Sequence, residues 1–221
     1  MKKTKINLVP DIVNPTPDYY CTWQTQLYAT SDGKPEAQRA CITEKSLFIL
    51  EREYVCPLNQ NAIYMTDIIK NIGSAQAPLE VLYHCNMGYP LLSENAEVTI
   101  PAKSVKARNE HANKDIADCL KMEKPQNGYE EKCYYFETEG NVTATIYNKD
   151  INKGVSITYN ADELQFFTEW KMMGEYEYVL GLEPGNCTPD GRDVMRKSGK
   201  LEFLNAGDTK VHHLKFEFFN K

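Results

Sequence analysis

No stretch of this chain holds the ~18 consecutive apolar residues that a membrane-spanning helix requires, so the sequence predicts no membrane partner. The opening Met1-Lys2-Lys3-Thr4-Lys5 is basic, but Ile6 to Val9 is too short for the apolar core of a secretory signal. The 7 cysteines form no Cys-x-x-Cys pair, and their odd number and wide scatter argue against a disulfide framework or a zinc site. Reduced thiols without a leader point to the cytoplasm. A basic stripe is missing as well: with a net charge of −6 and a pI near 5.3, nothing could neutralise a run of phosphates, which excludes nucleic acid as a partner. No internal repeat is evident.

What is present is an ordinary globular composition, 42% hydrophobic and 25% charged, and 221 residues can bury a sizeable core as one large β domain or two small ones. Residues 1–48 read as an extended arm, marked by Pro10, Pro15 and Pro17, followed by a short accessory segment. Within it Tyr19 to Tyr28 alternates like a strand, and Pro35 to Leu47 reads as a short helix with Pro in its first turn. Trp23 and Tyr28 could stack on a sugar or simply pack this segment onto the rest.

Residues 49–221 form the second expected domain, and there the pattern is β. Strands are predicted at Phe48–Cys56, Ala62–Gly73, Leu79–Asn86, Glu97–Ile100, Lys132–Thr138, Val142–Asn148, Val155–Tyr159, Leu164–Lys171, Tyr176–Glu183, Lys200–Leu204 and Lys210–Phe219. A recurrence of about ten residues with Gly, Pro or Asn punctuation is the signature of an antiparallel sandwich or barrel. Leu79–Asn86 is apolar enough to be central and buried on both faces. Lys103–Lys124 reads as a loop with one helix, and Pro184–Gly199 as a long loop. Asp67 and Asn71 read as turn-shaping residues.

Two stretches carry the chemistry. Val81-Leu82-Tyr83-His84-Cys85-Asn86-Met87-Gly88-Tyr89-Pro90 and Tyr178-Val179-Leu180-Gly181-Leu182-Glu183-Pro184-Gly185-Asn186 each set one titratable side chain in an apolar run. A His and a Glu delivered this way, about 100 residues apart, have the makings of one acid–base pair. On its own, a His in such a strand is more often a hydrogen-bonded core residue. A Glu in a strand interior costs several kcal/mol unless paired or functional. Asn86 could donate to a ligand hydroxyl or serve the turn before Gly88. Trp170 with Lys171 reads either as a sugar platform or as core, and Arg108 with His111 lies on a loop that could reach a pocket but more often reads as solvated surface. Cys85 and Cys187 have no base nearby in sequence, so neither makes a nucleophile.

From about residue 48 to the C-terminus the chain resembles aldose 1-epimerases of the galactose-mutarotase-like superfamily, and is most similar to a divergent bacterial branch. The resemblance rests on Thr66 to Gly73, Leu82 to Leu92, Leu164 to Lys171, Tyr178 to Gly185 and Gly199 to Gly207. It implies an all-β, antiparallel β-supersandwich that acts on a monosaccharide without metal or cofactor. His84 is the implied general acid and Glu183 the implied general base, with Asn86, Trp170, Lys171 and Arg108 around the sugar. The family's first half, which supplies further strands and an Arg and a His that grip the sugar, is absent, so the expected fold is incomplete. Two alternatives stand beside the enzyme: a non-catalytic carbohydrate-binding protein, and a structural homodimer whose partner covers exposed sheet edges.

Overall fold

A computed structural model of the chain describes residues 47–221 and, before them, the backbone of strands at 5–8, 25–29 and 35–42. In chain order the elements are β1 (Lys5–Leu8), β2 (Thr25–Ala29), β3 (Pro35–Ile42), β4 (Leu47–Val55), β5 (Ala62–Asn71), β6 (Ala77–Leu79), β7 (Cys85–Gly88), β8 (Ala96–Thr99), β9 (Ser104–Ala107) and α1 (Glu110–Asn113). There follow β10 (Lys132–Glu137), β11 (Asn141–Asn148), β12 (Lys153–Asn160), β13 (Phe166–Met173), β14 (Tyr178–Gly185), α2 (Arg192–Lys197), β15 (Glu202–Leu204) and β16 (Thr209–Phe219). The architecture is all-β and antiparallel, as the strand spacing predicts. Among the described residues no helix is long and apolar enough to cross a membrane.

The chain divides into two compact units, residues 1–79 with 202–214 and residues 80–201 with 215–221. In the first, β1 to β5 lie side by side in sequence order, and β6 pairs with β15. The stretch expected as a helix at Pro35–Leu47 is instead β3, which pairs residue by residue with β4 from Glu36↔Glu53 to Ile42↔Leu47. A long hairpin supplies ladder hydrogen bonds that outweigh a weak local helix preference, and Pro35 at the first strand position withholds no needed N–H. The hairpin spans the position near Phe48 where the sequence suggests a boundary. Asp67 is not a turn residue but a buried mid-strand carboxylate, gripped by the Arg52 guanidinium through two contacts of 2.5 Å. Asn71 does shape a turn: its Oδ1 accepts from Gly73 N and its amide donates to the carbonyls of Ala75 and Leu204. The strand expected at Tyr19–Tyr28 is described only from Thr25 onward, and Trp23 lies outside the described residues.

The second unit is a sandwich. One sheet runs β7-β14-β13-β10-β9 and the other contains β12, β11 and β8. Between them Phe167 of β13 stacks on Tyr159 of β12, with centroids 5.7 Å apart, and meets Phe136 edge-on at 6.3 Å. Ile146, Ile157, Leu164, Leu180 and Leu182 are fully buried in this unit, each worth roughly 1.5–3 kcal/mol of apolar transfer. Because strand side chains alternate, β13 turns Phe167, Glu169, Lys171 and Met173 to the face that carries Phe167, and Thr168, Trp170 and Met172 to the other.

Three expectations change here. Leu79–Asn86 is no continuous buried strand: residues 80–84 are irregular between β6 and β7, and β7 is an edge strand of its sheet. The region 103–124 contains β9 as well as α1 and a short 3₁₀ turn at Ile116–Asp118, with Asn109 capping α1 through Ala112 N at 2.9 Å. The loop after Pro184 contains α2. The apolar run fails as a strand because its hydrogen bonds go elsewhere, to the end of β14.

Candidate functional site

The free face of the five-stranded sheet organises the site. Register places Asn86 opposite Gly181, Gly181 opposite Trp170 and Trp170 opposite Cys133, which makes one row across four strands. The next row holds Glu183, Thr168 and Tyr135. Directly opposed residues share a face, so the carboxylate of Glu183 and the indole of Trp170 are neighbours by construction.

His84 reaches this face because its segment is fastened to β14. Tyr83 N donates to Pro184 O at 3.0 Å, Asn186 N to Val81 O at 3.0 Å, and Val81 N to the buried Asn186 Oδ1 at 2.6 Å. Cys85 N then closes a tight turn on Tyr83 O at 2.9 Å, which leaves the His84 side chain projecting at the start of β7. Its Nε2 lies 3.0 Å from Glu183 Oε1, and its Nδ1 lies 2.7 Å from Asn86 Oδ1.

Those two partners define the protonation state. A carboxylate and an amide oxygen are both acceptors, so a ring between them is best served by carrying hydrogen on both nitrogens. Contact with Glu183 is the main influence that raises the His84 pKa; burial opposes it, and the Glu183 charge and Asn86 add to the rise. The His84 side chain is 45% exposed and that of Glu183 only 2%. Glu183 Oε1 receives no well-directed hydrogen bond, so the 3.0 Å approach is an ion pair with a lone pair left over. Thr168 Oγ1, opposite Glu183 in register, is buried and unpartnered too.

Gly181 makes the carboxylate's position possible. A β-carbon there would stand 2.2 Å from Glu183 Oε1 and 3.2 Å from Trp170 Cβ. The side chain of Glu183 occupies the space that any other residue at 181 would fill.

Beyond His84 the site continues through its aromatic wall. The Trp170 ring meets the His84 ring at 5.3 Å and 68°, edge to face, and donates its indole N–H to Glu131 Oε2 at 2.7 Å. Arg108 Nη1 stands 3.6 Å from Glu131 Oε1, while Arg108 Nε donates to Asp190 Oδ1 at 3.1 Å. Asp190 also accepts from Tyr135 OH at 2.7 Å and Thr188 Oγ1 at 3.0 Å.

Of the residues singled out in sequence, His84, Glu183, Asn86, Trp170 and Arg108 are thus linked by contacts within one unit. Lys171 is not. It lies on the opposite face of β13, and its ammonium is bound to the carbonyls of Cys119 and Lys121 and sits 3.4 Å from Glu123. Trp170 and Lys171 are adjacent in sequence, and strand alternation is what separates them. His111 lies beside Glu130, at 3.7 Å, outside the group. Glu131, Asp190 and Tyr135 escape the sequence reading because only tertiary pairing brings them near Trp170, Tyr135 by register and the other two from segments beside the strands; a Pro-Asp-Gly turn and an acidic pair before a strand are common features. Among the described residues no three His, Cys, Asp or Glu side chains converge to hold a metal ion.

The profile of a family described as "Domain of unknown function (DUF4432)" matches residues 36–218. No curated protein matches the sequence. Among solved structures the chain is similar to a candidate aldose 1-epimerase from Klebsiella pneumoniae subsp. pneumoniae, with TM-score 0.80 and 20% identity over 90% of this chain and 54% of that one. It is also similar to a candidate aldose 1-epimerase from Escherichia coli K12, with TM-score 0.65 and 13% identity over 90% of this chain and 69% of the other. A galactose mutarotase-like protein from Clostridium acetobutylicum gives TM-score 0.61 and 15% identity over 90% and 67%. At such identities the likeness shows the fold, a galactose mutarotase-like β-sandwich, and the chain spans about half the length of the Klebsiella protein.

Proposed function

We propose, for a chain that belongs to the family described as "Domain of unknown function (DUF4432)", the chemistry of an aldose 1-epimerase: interconversion of the α and β anomers of a hexose. The observation that carries this reading is the pair of a buried Glu183 and a half-exposed His84, with Nε2 at 3.0 Å from Oε1 and Nδ1 at 2.7 Å from Asn86 Oδ1. The fold shared with candidate aldose 1-epimerases supports it.

In this reading the sugar enters between the two groups. Glu183 Oε1 accepts the proton of the C1 hydroxyl while His84 Nε2 gives its proton to the ring oxygen. The bond from C1 to the ring oxygen breaks and the C1 carbonyl forms. Rotation about C1–C2 and reversal of both transfers gives the other anomer. Pairing with Glu183 raises the His84 pKa, which favours the protonated acid that the reaction needs. Asn86 holds the imidazole through Nδ1 so that Nε2 faces the substrate, and Trp170 offers an apolar surface to the pyranose. Arg108, engaged by Asp190 and Glu131, shapes the far rim.

Optical rotation of freshly dissolved α-glucose or α-galactose tests this with wild type, Glu183→Gln and His84→Asn. Each proton transfer is typically worth ~10²–10⁴-fold, so either variant should fall to near the buffer rate. A wild-type rate equal to buffer would sink the enzyme reading. The second reading, a non-catalytic carbohydrate-binding protein, is favoured by the His84–Glu183 ion pair, which a sugar must open before any proton moves. Calorimetric binding of a sugar by a protein without turnover would establish it.

A further inference from the structure

The aromatic wall of the site is held by a carboxylate that the acid–base chemistry does not use. Glu131 Oε2 accepts the Trp170 indole N–H at 2.7 Å, and its other oxygen stands 3.6 Å from Arg108 Nη1. Arg108 is itself fixed by Asp190, which is tied down by the hydroxyls of Tyr135 and Thr188. The chain of contacts thus runs from β10 and the loop after β14, through Arg108 and Glu131, to Trp170 and then to the His84 ring at 5.3 Å. His84 needs such a wall. It sits on an irregular segment at an edge strand and is 45% exposed, so its orientation depends on Asn86, Glu183 and the indole.

We propose that Glu131 is a positioning residue: its hydrogen bond to the indole sets the angle of Trp170, and Trp170 in turn keeps the His84 imidazole aimed at Glu183. The charged and titratable groups facing this wall are His84 and Glu183 on one side, and Arg108, Cys133 and Asp190 on the other. A charge-assisted N–H to carboxylate contact is stronger than a neutral one and directional, so it suits an orienting role. Its effect on turnover rests on the proposed acid–base reading, whereas its effect on the ring geometry does not.

Trp170 is also the reporter. The sequence holds 2 tryptophans, so with Trp23 replaced by Phe as the common background, emission comes from Trp170 alone. A protonated imidazole in contact with an indole quenches it, so emission should rise as His84 deprotonates, and that step should vanish in His84→Asn. In Glu131→Ala the indole loses its acceptor, and the pH-dependent step should shrink to less than about half, with kcat falling about tenfold and KM changing less. Glu131→Gln keeps an oxygen to accept the N–H and should restore both the step and most of kcat, which also guards against a folding defect as the explanation. Glu131→Ala retaining the full emission step and full kcat would overturn the positioning role. If wild type shows no mutarotation but the step still depends on Glu131, the positioning stands and the enzyme reading falls. If wild type turns over and neither measure responds to Glu131→Ala, the reverse holds.

Discussion

Glu169 offers a test of the packing logic that is independent of any substrate. It lies on the same face of β13 as Phe167 and is fully buried, and neither carboxylate oxygen has a hydrogen-bond partner. The cation two residues along, Lys171, is already engaged by two carbonyls and Glu123. Burial therefore dominates and pushes the Glu169 carboxyl up to about 8 from an ordinary 4.5, with Lys171 pulling the other way. A folded-state pKa above the unfolded one means that the native protein binds more protons than the unfolded chain between those values. The contribution of Glu169 to stability is then most favourable below pH 4.5, declines as pH rises through the window, and levels off above about 8. At 1.36 kcal/mol per unit, a rise from 4.5 to about 8 corresponds to at most roughly 5 kcal/mol. Glu169→Gln keeps the shape and removes the titration. Urea unfolding at pH 5, 6, 7 and 8 should show the variant gaining steadily on wild type and exceeding its stability by about 2–5 kcal/mol at pH 8. A variant less stable than wild type at pH 8, or a difference that does not change with pH, would refute the reasoning.

Other expectations follow from the site. On the proposed reading His84 must be protonated to give up its proton, and its pKa is raised chiefly by Glu183. The pH–rate profile should therefore lose activity on the alkaline side at a midpoint above that of an ordinary histidine, and Glu183→Gln should lower the midpoint seen for the imidazole by NMR. On the proposed reading Gly181→Ala should abolish activity and lower Tm, because the added carbon displaces the buried Glu183 carboxylate from His84 and also crowds Trp170 Cβ at 3.2 Å. Circular dichroism melts together with polarimetry check both halves of that statement.

The legibility of this protein in its sequence was uneven, for identifiable reasons. Strands such as β11 and β12 were readable because half-buried antiparallel strands alternate and end at Gly or Asn, a local pattern. β3 was misread because Pro35 and the helix formers after it carry a helix-like local signal, while the hairpin that decides the matter depends on a partner strand. Leu79–Asn86 was misread because apolarity marks burial without saying which hydrogen bonds are made. In the structure those bonds go to Pro184, Gly185 and Asn186.

By itself the sequence determined an all-β chain and a His and a Glu each set in an apolar run. Composition and period 2 are local properties, and they suffice for that. Tertiary structure alone decided that His84 and Glu183 meet at 3.0 Å, and that Trp170 joins them while Lys171 turns away. It also decided that Glu131 and Arg108 close the wall. Trp170 and Lys171 part by strand register, where a shift of one residue would exchange the faces. His84, Arg108 and Glu131 lie just outside the strands and are placed by contacts to residues distant in sequence. Register is set by pairing between segments distant in sequence, which no local pattern encodes.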